Sequence, residues 1–286
     1  MFRSLIFVPG NSTRFVEKAK TLPADIVCFD LEDSVPDNEK DTARRIIAET
    51  LLAKRQDYGS HVYVRTNSPE SGLVTDDLKF ILQKGIDGIV VPKVDDASEM
   101  LEIKDRIVML ERERKIDKIA LVPSIETAKG VVNAYLIASA DERIKALVFG
   151  VFDFLYDMRL DYDEHDATGY YYARAKIPVD ARAAGVYAID AIWQKIDDID
   201  GLILDATVAR NLGYSGKSII HPSQIEPVHK VFRPSNNEIE WAKKVVQALG
   251  QAMNRGTGRG AVRLEGKMID AVHYKQAKAI LDAADA

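Results

Sequence analysis

Short apolar runs, each closed by a turn-forming or charged residue, alternate with helix-like patterns along the whole chain. Most of the runs are continuously apolar, which is typical of strands buried on both faces of a parallel sheet. The eight runs start at Ser4, Asp25, His61, Gly88, Lys118, Ala146, Gly185 and Lys217. Apolar positions with helical spacing predict helices between them at residues 14–21, 39–54, 76–84, 98–114, 128–138, 173–183, 200–211 and 223–232.

This succession of strand–helix units predicts an α/β protein with a closed (β/α)8 barrel, the TIM barrel fold. A doubly wound open sheet is the alternative. It usually needs fewer strands and a glycine-rich turn after the first strand, whereas the turn here, PGNSTR, contains one glycine.

The residues after the eighth unit predict a C-terminal extension. Ser235 and Glu238 stand in the capping-box pattern that begins a helix, which we expect to run to about Leu249. A glycine-rich stretch at 250–266 then leads into an apolar-periodic segment at 268–281. We therefore expect a barrel with its following helix over residues 1–249. Residues 250–286 are expected to form a hinge and a C-terminal lid helix that packs on a neighbouring subunit, with a frayed tail as the alternative.

Composition narrows the partners and the compartment. The sequence has 39 Lys and Arg against 44 Asp and Glu, a net charge of −5, which argues against a surface built for nucleic acid. Cys28 is the only cysteine, so an intrachain disulfide and a zinc site built on paired cysteines are excluded, and the cytoplasm is the expected compartment. No apolar run approaches the roughly 18 residues of a membrane span, and we expect neither a membrane partner nor a removable leader.

Ionisable side chains follow nearly every predicted strand. The carboxyl ends of the strands form the active-site face of such a barrel, so these side chains are expected to share one rim. They are Asp30, Glu32, Asp33, Arg65, Lys93, Glu126, Asp153, Asp190 and His221. A lone acid among them is as well explained as a solvated loop residue, but a barrel used only as a scaffold has no reason to carry so many.

Glu126 and Asp153 end adjacent predicted strands, so their carboxylates are expected to converge. A hard divalent cation with oxygen ligands would neutralise them, and Mg²⁺ keeping several waters fits best, with Mn²⁺ as the alternative. A salt bridge from either acid to a nearby Lys or Arg is the structural alternative. The five histidines are scattered and no HExxH motif is present, which gives zinc or iron little support. His221, before Pro222, is interpreted as a loop organiser.

Arg65 ends an otherwise apolar run, where a guanidinium needs an anion to offset its desolvation. A bound carboxylate or enolate oxygen would serve. A salt bridge to Asp30, Glu32 or Asp33 is the structural alternative, and both can hold at once. A cation, acids and an arginine together indicate chemistry on a 2-oxo acid or an enolate.

The chain resembles the citrate lyase β-subunit-like family of the HpcH/HpaI aldolase superfamily, which includes the malyl-CoA and citramalyl-CoA lyases. The resemblance extends over almost the whole chain. It rests on the segments RSLIFVPGNSTRFVEKA, DLEDSVPDNEKDTAR, VRTN, VPKVD, PSIETAKG, FGVFD, DARAAGVYAID, ARNLGYSGKSIIHPSQI and GKMID. It implies a trimeric or hexameric TIM barrel that uses Mg²⁺ to cleave or form a carbon–carbon bond between an acyl-CoA or acyl carrier and a 2-oxo acid.

The resemblance also implies roles for single residues. Glu126 and Asp153 look like the metal ligands, and Arg65 looks like the residue that grips the oxo-acid and enolate oxygens. Asp270 of GKMID resembles a lid aspartate that enters a neighbouring subunit's site as general acid/base. Asp30, Glu32 and Asp33 resemble the acidic cluster that supports the metal waters and Arg65. Arg14 and Lys18 resemble the positions that meet the coenzyme A phosphates. For the last two, an ordinary basic helix face is the alternative.

Three departures from the family pattern bear on these roles. Phe152 stands where a second acid usually precedes the ligand aspartate, and Ala271-Val272 stands where a proline commonly follows the lid aspartate. The segment from Leu155 to Tyr172 is unusually rich in Asp and Tyr, and we expect it to determine substrate choice.

The predicted function is Mg²⁺-dependent cleavage or formation of a 3-hydroxyacyl-CoA, such as malyl-CoA, citramalyl-CoA or citryl-CoA, through a thioester enolate. The expected partners are therefore an acyl-CoA and a 2-oxo acid. A metal-dependent aldolase that acts on hydroxy acids without coenzyme A is one alternative. A non-catalytic subunit that holds an acyl-CoA or an acyl carrier is the other.

Overall fold

Eight parallel strands close into a barrel in the computed structural model, which describes residues 2–163, 166–254 and 261–285. Each strand pairs with its neighbours in chain order, and the eighth returns to the first, with Leu5 opposite Ser218. The closed barrel confirms the predicted fold class and excludes the open sheet. The strands are β1 Ser4–Pro9, β2 Ile26–Asp30, β3 His61–Arg65, β4 Gly88–Val91, β5 Ala120–Ile125, β6 Ala146–Phe149, β7 Tyr187–Asp190 and β8 Gly216–Ile219.

Helices follow the strands at the predicted places, with one addition. The additional helix is α6, Val151–Met158, which begins directly after β6. In the described ranges, no helix has the length and apolarity that a membrane span needs. The helices of the barrel are α1 Thr13–Ala19, α2 Lys40–Lys54, α3 Val74–Ile81, α4 Ala97–Arg114, α5 Ala128–Ala138, α6 Val151–Met158, α7 Thr168–Ala184, α8 Ile199–Leu212 and α9 Ile225–Phe232.

Apolar side chains from alternate strand positions fill the barrel interior. One cluster comprises Leu5, Ile26, Cys28, Tyr63, Val90, Val122, Ala146, Val148 and Ile189. Each fully buried aliphatic side chain of this kind contributes roughly 1.5–3 kcal/mol relative to its exposed state. The packed interior holds the strand ends in fixed positions, so polar residues at those ends are placed by a rigid frame.

The chain divides into two compact units, Met1–His229 and Lys230–Ala286. The second unit contains α10 (Asn236–Asn254), an antiparallel hairpin of β9 (Ala261–Leu264) and β10 (Lys267–Asp270), and α11 (Ala271–Asp285). The helix α10 begins with the predicted capping box, because the Glu238 carboxylate accepts the Ser235 backbone N–H at 2.8 Å. The core of the second unit is formed by Ala242, Val245, Leu249, Ile269 and Ala277.

The hairpin changes the prediction for this segment. The helix begins at Ala271 rather than Met268, since residues 261–270 form the two strands. The predicted hinge falls partly on residues 255–260, which lie outside the described residues. A division of the chain at residue 250 and packing on a neighbouring subunit stay predictions.

Candidate active site

A cavity of ≈ 360 Å³ opens at the carboxyl ends of the barrel strands. Its wall combines apolar side chains with five ionisable groups from different parts of the chain. The lining residues are Phe7, Asp30, Asp33, Ser34, Arg65, Ser124, Glu126, Val148, Phe149, Gly150, Val151, Phe152, Asp153, Ile192, Ser218 and Ile220. The structure therefore brings Arg65, Glu126, Asp153 and Asp33 together at one opening.

Arg65, the last residue of β3, is held in place by the acidic end of β2. The two strands pair so that Arg65 lies opposite Asp30. Its Nε donates to Asp30 Oδ1 at 2.7 Å and its Nη2 donates to Oδ2 at 2.7 Å, a bidentate pair that fixes the guanidinium plane. The remaining Nη1 lies 2.9 Å from Glu32 Oε2, and the Phe7 ring lies beneath the guanidinium at 4.6 Å. The predicted salt bridge is therefore present, and Arg65 still lines the cavity.

Asp30 organises the loop that follows β2. Its Oδ1 accepts the Glu32 backbone N–H at 2.9 Å, and its Oδ2 accepts the backbone N–H and the hydroxyl of Ser34. Burial favours the neutral acid, but Arg65 and these hydrogen bonds outweigh it and lower the pKa of Asp30 to about 2. Asp30 is thus an ionised residue that sets both the Arg65 fork and the position of Glu32.

Asp30 is expected to make the fold sensitive to acid. Its pKa lies below the usual value of about 3.9, so its stabilising effect is complete above that value and is lost as pH falls towards 2. We expect the difference in free energy of unfolding between the wild type and Asp30→Asn to shrink by roughly 2 kcal/mol between pH 5 and pH 2. Urea titrations at several pH values measure it. A difference that is independent of pH contradicts the role.

Glu32 and Asp33 lie on this loop and share two cations. Lys93, which follows β4, donates its Nζ to Glu32 Oε1 at 2.6 Å and lies 3.6 Å from Asp33 Oδ1. The Asp33 carboxylate is also 3.6 Å from Arg65 Nη1. Burial raises the pKa of Glu32 to about 7 against the opposing effect of Arg65. Both acids therefore lie beside Arg65. Their predicted support of metal-bound waters stays a prediction.

Glu126 directly follows β5 and is 4% exposed. Among the residues that the structure describes, no donor forms a hydrogen bond with its Oε2. Burial, together with the Glu32 and Asp153 carboxylates, raises the pKa of Glu126 to about 8 although Arg65 acts in the opposite direction. A buried carboxylate in this state is incompletely satisfied, which is costly unless a cation or a proton joins it.

Asp153 reaches the cavity from a helix rather than from a strand end. The prediction that a strand ends at Asp153 is wrong, because β6 ends at Phe149 and α6 begins at Val151. Asp153 lies in the first turn of α6, and its Oδ1 is 3.2 Å from Lys93 Nζ. It still lines the same cavity as Glu126, so the predicted convergence does not depend on the strand assignment.

The site fits a divalent cation in its charge and its donor chemistry. Around the cavity, the carboxylates of Asp30, Glu32, Asp33, Glu126 and Asp153 outnumber the cationic groups of Arg65 and Lys93. In the described part of the chain, no group of three or more His, Cys, Asp or Glu side chains could hold a metal ion. Two carboxylates with water and substrate oxygens completing the shell are typical of Mg²⁺ rather than of a metal held by protein ligands alone.

Arg14 and Lys18 lie on α1, which follows β1, and both are exposed. They are one helical turn apart, so they share a face of α1. Within the described ranges neither forms an ion pair. Their predicted contact with coenzyme A phosphates stays a prediction, as does the alternative of an ordinary basic face.

Two predicted rim residues serve the framework instead. The side chain of Asp190 is fully buried and binds Arg174 Nη2 at 2.7 Å and Lys217 Nζ at 2.6 Å. His221 accepts the Ser223 backbone N–H through Nδ1 at 3.2 Å, which agrees with its interpretation as a loop organiser.

The comparison with protein families now identifies the chain. A family model described as HpcH/HpaI aldolase/citrate lyase matches residues 3–222, a range that spans all eight strands. The chain belongs to the HpcH/HpaI aldolase/citrate lyase family. The resemblance inferred from the sequence motifs is thereby confirmed.

Similar members of the HpcH/HpaI family align over nearly the whole chain. Citrate lyase subunit beta of Leuconostoc mesenteroides subsp. cremoris is 36% identical, covering 99% of this chain and 93% of that protein. Mitochondrial citramalyl-CoA lyase of Rattus norvegicus is 34% identical, covering 99% of this chain and 86% of that protein. The crystal structure of CitE from Mycobacterium tuberculosis, in complex with magnesium, acetoacetate and coenzyme A, is 28% identical with a TM-score of 0.81, covering 100% and 98%. The prediction of a lyase is confirmed at the level of the family.

Two further residues of this HpcH/HpaI member shape the site, and sequence reasoning gave them no role. Lys93 joins Glu32 to Asp153 and adopts a left-handed backbone with φ of 52°, which is uncommon for a residue other than glycine. At Gly150, a Cβ atom would lie 2.5 Å from Glu126 Cγ. The glycine between β6 and α6 therefore leaves room for the Glu126 side chain. A glycine inside the apolar run 146–154 is the signal that could have revealed it, since such a glycine often marks a close approach of other atoms.

Proposed function

We propose that this chain is a Mg²⁺-dependent carbon–carbon lyase that cleaves or forms a 3-hydroxyacyl-CoA such as malyl-CoA, citramalyl-CoA or citryl-CoA. The products of cleavage are a 2-oxo acid and an acyl-CoA. The observation that carries the proposal is the buried, incompletely satisfied Glu126 carboxylate, which lines one cavity with Asp153 and the Arg65 guanidinium. The names of the relatives and the magnesium and coenzyme A in the related CitE structure support it.

In this proposal Glu126 and Asp153 hold the metal ion. When bound, Mg²⁺ supplies Lewis-acid polarisation of substrate oxygens. Arg65 faces the oxygen on which negative charge develops, and its bidentate contact with Asp30 keeps it oriented before the substrate arrives. Glu32 and Asp33 act by holding Arg65 and Lys93 in place.

The proton transfer is assigned to Asp270 of a neighbouring subunit in a trimer or hexamer. Its carboxylate takes the proton of the substrate hydroxyl, the carbon–carbon bond breaks, and the bonding electrons pass to the thioester enolate, which is then protonated at carbon. Arg14 and Lys18 are proposed to meet the coenzyme A phosphates. The segment from Leu155 to Tyr172, of which residues 164–165 lie outside the described ranges, is proposed to select the acyl group.

Phe152 gives that last proposal a physical basis. Its ring lines the cavity and lies 4.9 Å from the Tyr162 ring, so an aromatic side chain precedes Asp153 where the family pattern has a second acid. Such a wall favours an apolar substituent on the bound acid over a second carboxylate. We therefore place citramalyl-CoA, which carries a methyl group, first among the thioesters to be assayed.

A thioester panel tests the function. Malyl-CoA, citramalyl-CoA and citryl-CoA, each as both stereoisomers, are incubated with the protein and Mg²⁺, and the 2-oxo acid, the acyl-CoA and free coenzyme A are measured by chromatography. We expect one thioester to yield a 2-oxo acid and an acyl-CoA in equal amounts, and EDTA to stop the reaction reversibly.

The other outcomes discriminate between the alternatives. Cleavage of the free hydroxy acids at the same rate as their thioesters would indicate a coenzyme A-independent aldolase. Binding of the thioesters without product would indicate a non-catalytic subunit. Turnover that survives exhaustive EDTA treatment would remove the metal from the proposal.

A further inference from the structure

His273 lies beside Asp270 in the second unit and contacts its carboxylate. Asp270 is the last residue of β10 and directly precedes α11, so it occupies the N-cap position of that helix. Its Oδ1 accepts the backbone N–H groups of Val272 at 3.0 Å and His273 at 3.4 Å. The imidazole Nδ1 of His273 lies 2.8 Å from the same oxygen.

Two groups of Asp270 contact Nδ1 of His273, and they require opposite protonation states of that nitrogen. The Asp270 backbone N–H lies 3.2 Å from Nδ1 and would need an unprotonated nitrogen, as in a capping box. The Asp270 carboxylate lies closer, at 2.8 Å, and needs a proton on Nδ1, because two lone pairs at that distance repel. The shorter contact to a charged group decides for the Nδ1–H tautomer, in which the neutral ring keeps its lone pair on Nε2.

This arrangement treats the two carboxylate oxygens differently. Three donors hold Oδ1, whereas in the described part of the chain no donor bonds to Oδ2. Hydrogen bonds to a charged carboxylate favour that form, and the bond from His273 is the largest cause that lowers the pKa of Asp270. Asp270 therefore presents one ionised oxygen in a fixed direction.

We propose that His273 is a positioning residue for catalysis, which orients Asp270 by donating its Nδ1–H to Oδ1 and so leaves Oδ2 to accept the proton of the substrate hydroxyl. The inference rests on the proposed role of Asp270 as the acid/base of the lyase. It adds to that role a second residue, three positions further along the chain, that no motif assigned.

The tautomer is tested without any substrate. Long-range ¹H–¹⁵N correlation spectra of the ¹⁵N-labelled full chain at alkaline pH distinguish Nδ1–H from Nε2–H rings, and the spectrum of His273→Asn identifies the His273 signals by their loss. We expect the Nδ1–H form. The Nε2–H form would mean that His273 only caps the helix, and it would overturn the proposal.

Two substitutions separate orientation from capping. Asn at position 273 can still place an N–H near Oδ1, whereas Glu can accept the Asp270 backbone N–H but cannot donate to the carboxylate. With citramalyl-CoA as the probe, we expect kcat of His273→Glu to fall about tenfold or more with little change in KM, since a hydrogen bond to a charged group is lost. His273→Asn is expected to keep kcat within about threefold of the wild type, because its side-chain N–H can still donate to the carboxylate.

The controls make the failures distinguishable. Gln276→Leu, at an exposed position of α11, is expected to behave as the wild type, and melting temperatures show whether each variant is folded. Wild-type kcat in His273→Glu, or equal losses in both His273 variants, would overturn the positioning role. Wild-type kcat in Asp270→Asn would instead remove Asp270 from the proposed function, whichever tautomer the spectra show.

Discussion

Glu126→Gln is expected to lower the turnover of the cleaved thioester by about three orders of magnitude, since a Lewis-acid metal contributes several kcal/mol to such a reaction. Glutamine keeps the size of the side chain but has a neutral amide in place of the carboxylate that lines the cavity together with Asp153. Only one of the two proposed carboxylate ligands of the metal, that of Asp153, would remain. Steady-state assays over a range of Mg²⁺ concentrations measure the loss, and saturation with Mg²⁺ should recover little of it.

The same variant is expected to change how Mg²⁺ binding depends on pH. The pKa of Glu126 is raised to about 8, so near neutral pH a cation must displace a proton from this carboxyl group. Wild-type affinity should therefore increase with pH up to about 8, whereas Glu126→Gln, which has no proton to release at position 126, should show a flatter profile. Calorimetry in two buffers of different ionisation enthalpy measures the number of protons released.

Glu102→Gln is the matched control, because Glu102 lies exposed on α4. It should leave turnover, Mg²⁺ affinity and melting temperature unchanged. If Glu126→Gln binds Mg²⁺ as tightly as the wild type at every pH, Glu126 is not a ligand and the proposed metal position is wrong.

Arg65→Lys is expected to lower turnover by about 10²-fold or more, although the charge is kept. Lysine cannot reproduce the fork that binds both oxygens of Asp30 and also reaches Glu32. A lysine that pairs with Asp30 leaves the developing oxyanion without its donor. The expected signature is a lower kcat with a smaller change in the KM for the thioester, since the lost contact strengthens in the transition state.

Arg112→Lys, at an exposed position of α4, controls for the chemistry of the substitution. Because Asp30 is fully buried and loses part of its bidentate partner, Arg65→Lys is also expected to melt at a lower temperature, and the assays belong well below that temperature. A variant that is folded and turns over as the wild type would show that Arg65 has a structural role only.

The barrel was predictable because each strand has a local signal. Most of its strands are short, continuously apolar runs closed by polar residues, and parallel pairing then places all their carboxyl ends at one face. Glu126 and Arg65 follow from this rule, since each lies at or directly after a strand end. For Arg65, the cost of burying a guanidinium also predicted the acidic partners that the structure shows.

The start of α6 could not be predicted from apolarity. The run from Ala146 through Phe154 is apolar except for Gly150 and Asp153, and such a run is compatible with a strand or with a buried helix. The helix begins directly after Gly150. The predicted position of Asp153 at the rim was therefore correct, although the strand that was expected to carry it is a helix. The sequence placed Lys93 at the rim, but it gave no sign of its left-handed backbone or of its contacts with Glu32 and Asp153.

The hairpin in the second unit had a signal that was missed. The sequence signal is Glu265-Gly266 between the runs AVRL and KMID, because a glycine in a two-residue link between short runs favours a tight hairpin turn. In the structure both residues have positive φ and separate two four-residue strands. The other glycines in the stretch 250–266 favoured the interpretation of this segment as a hinge. The contact between His273 and Asp270 becomes predictable only when the helix is known to start at Ala271, because residues three apart meet on one side of a helical turn.

Gly150 limits how this protein could be engineered. Replacing glycine by alanine near a helix start is a common route to higher thermal stability, because it restricts the unfolded chain. At this position the added methyl group would occupy the path of the Glu126 side chain. Because Glu126 is buried and must move to admit that methyl group, alanine at position 150 is expected to lower both stability and turnover, and a library screened for either property should return glycine.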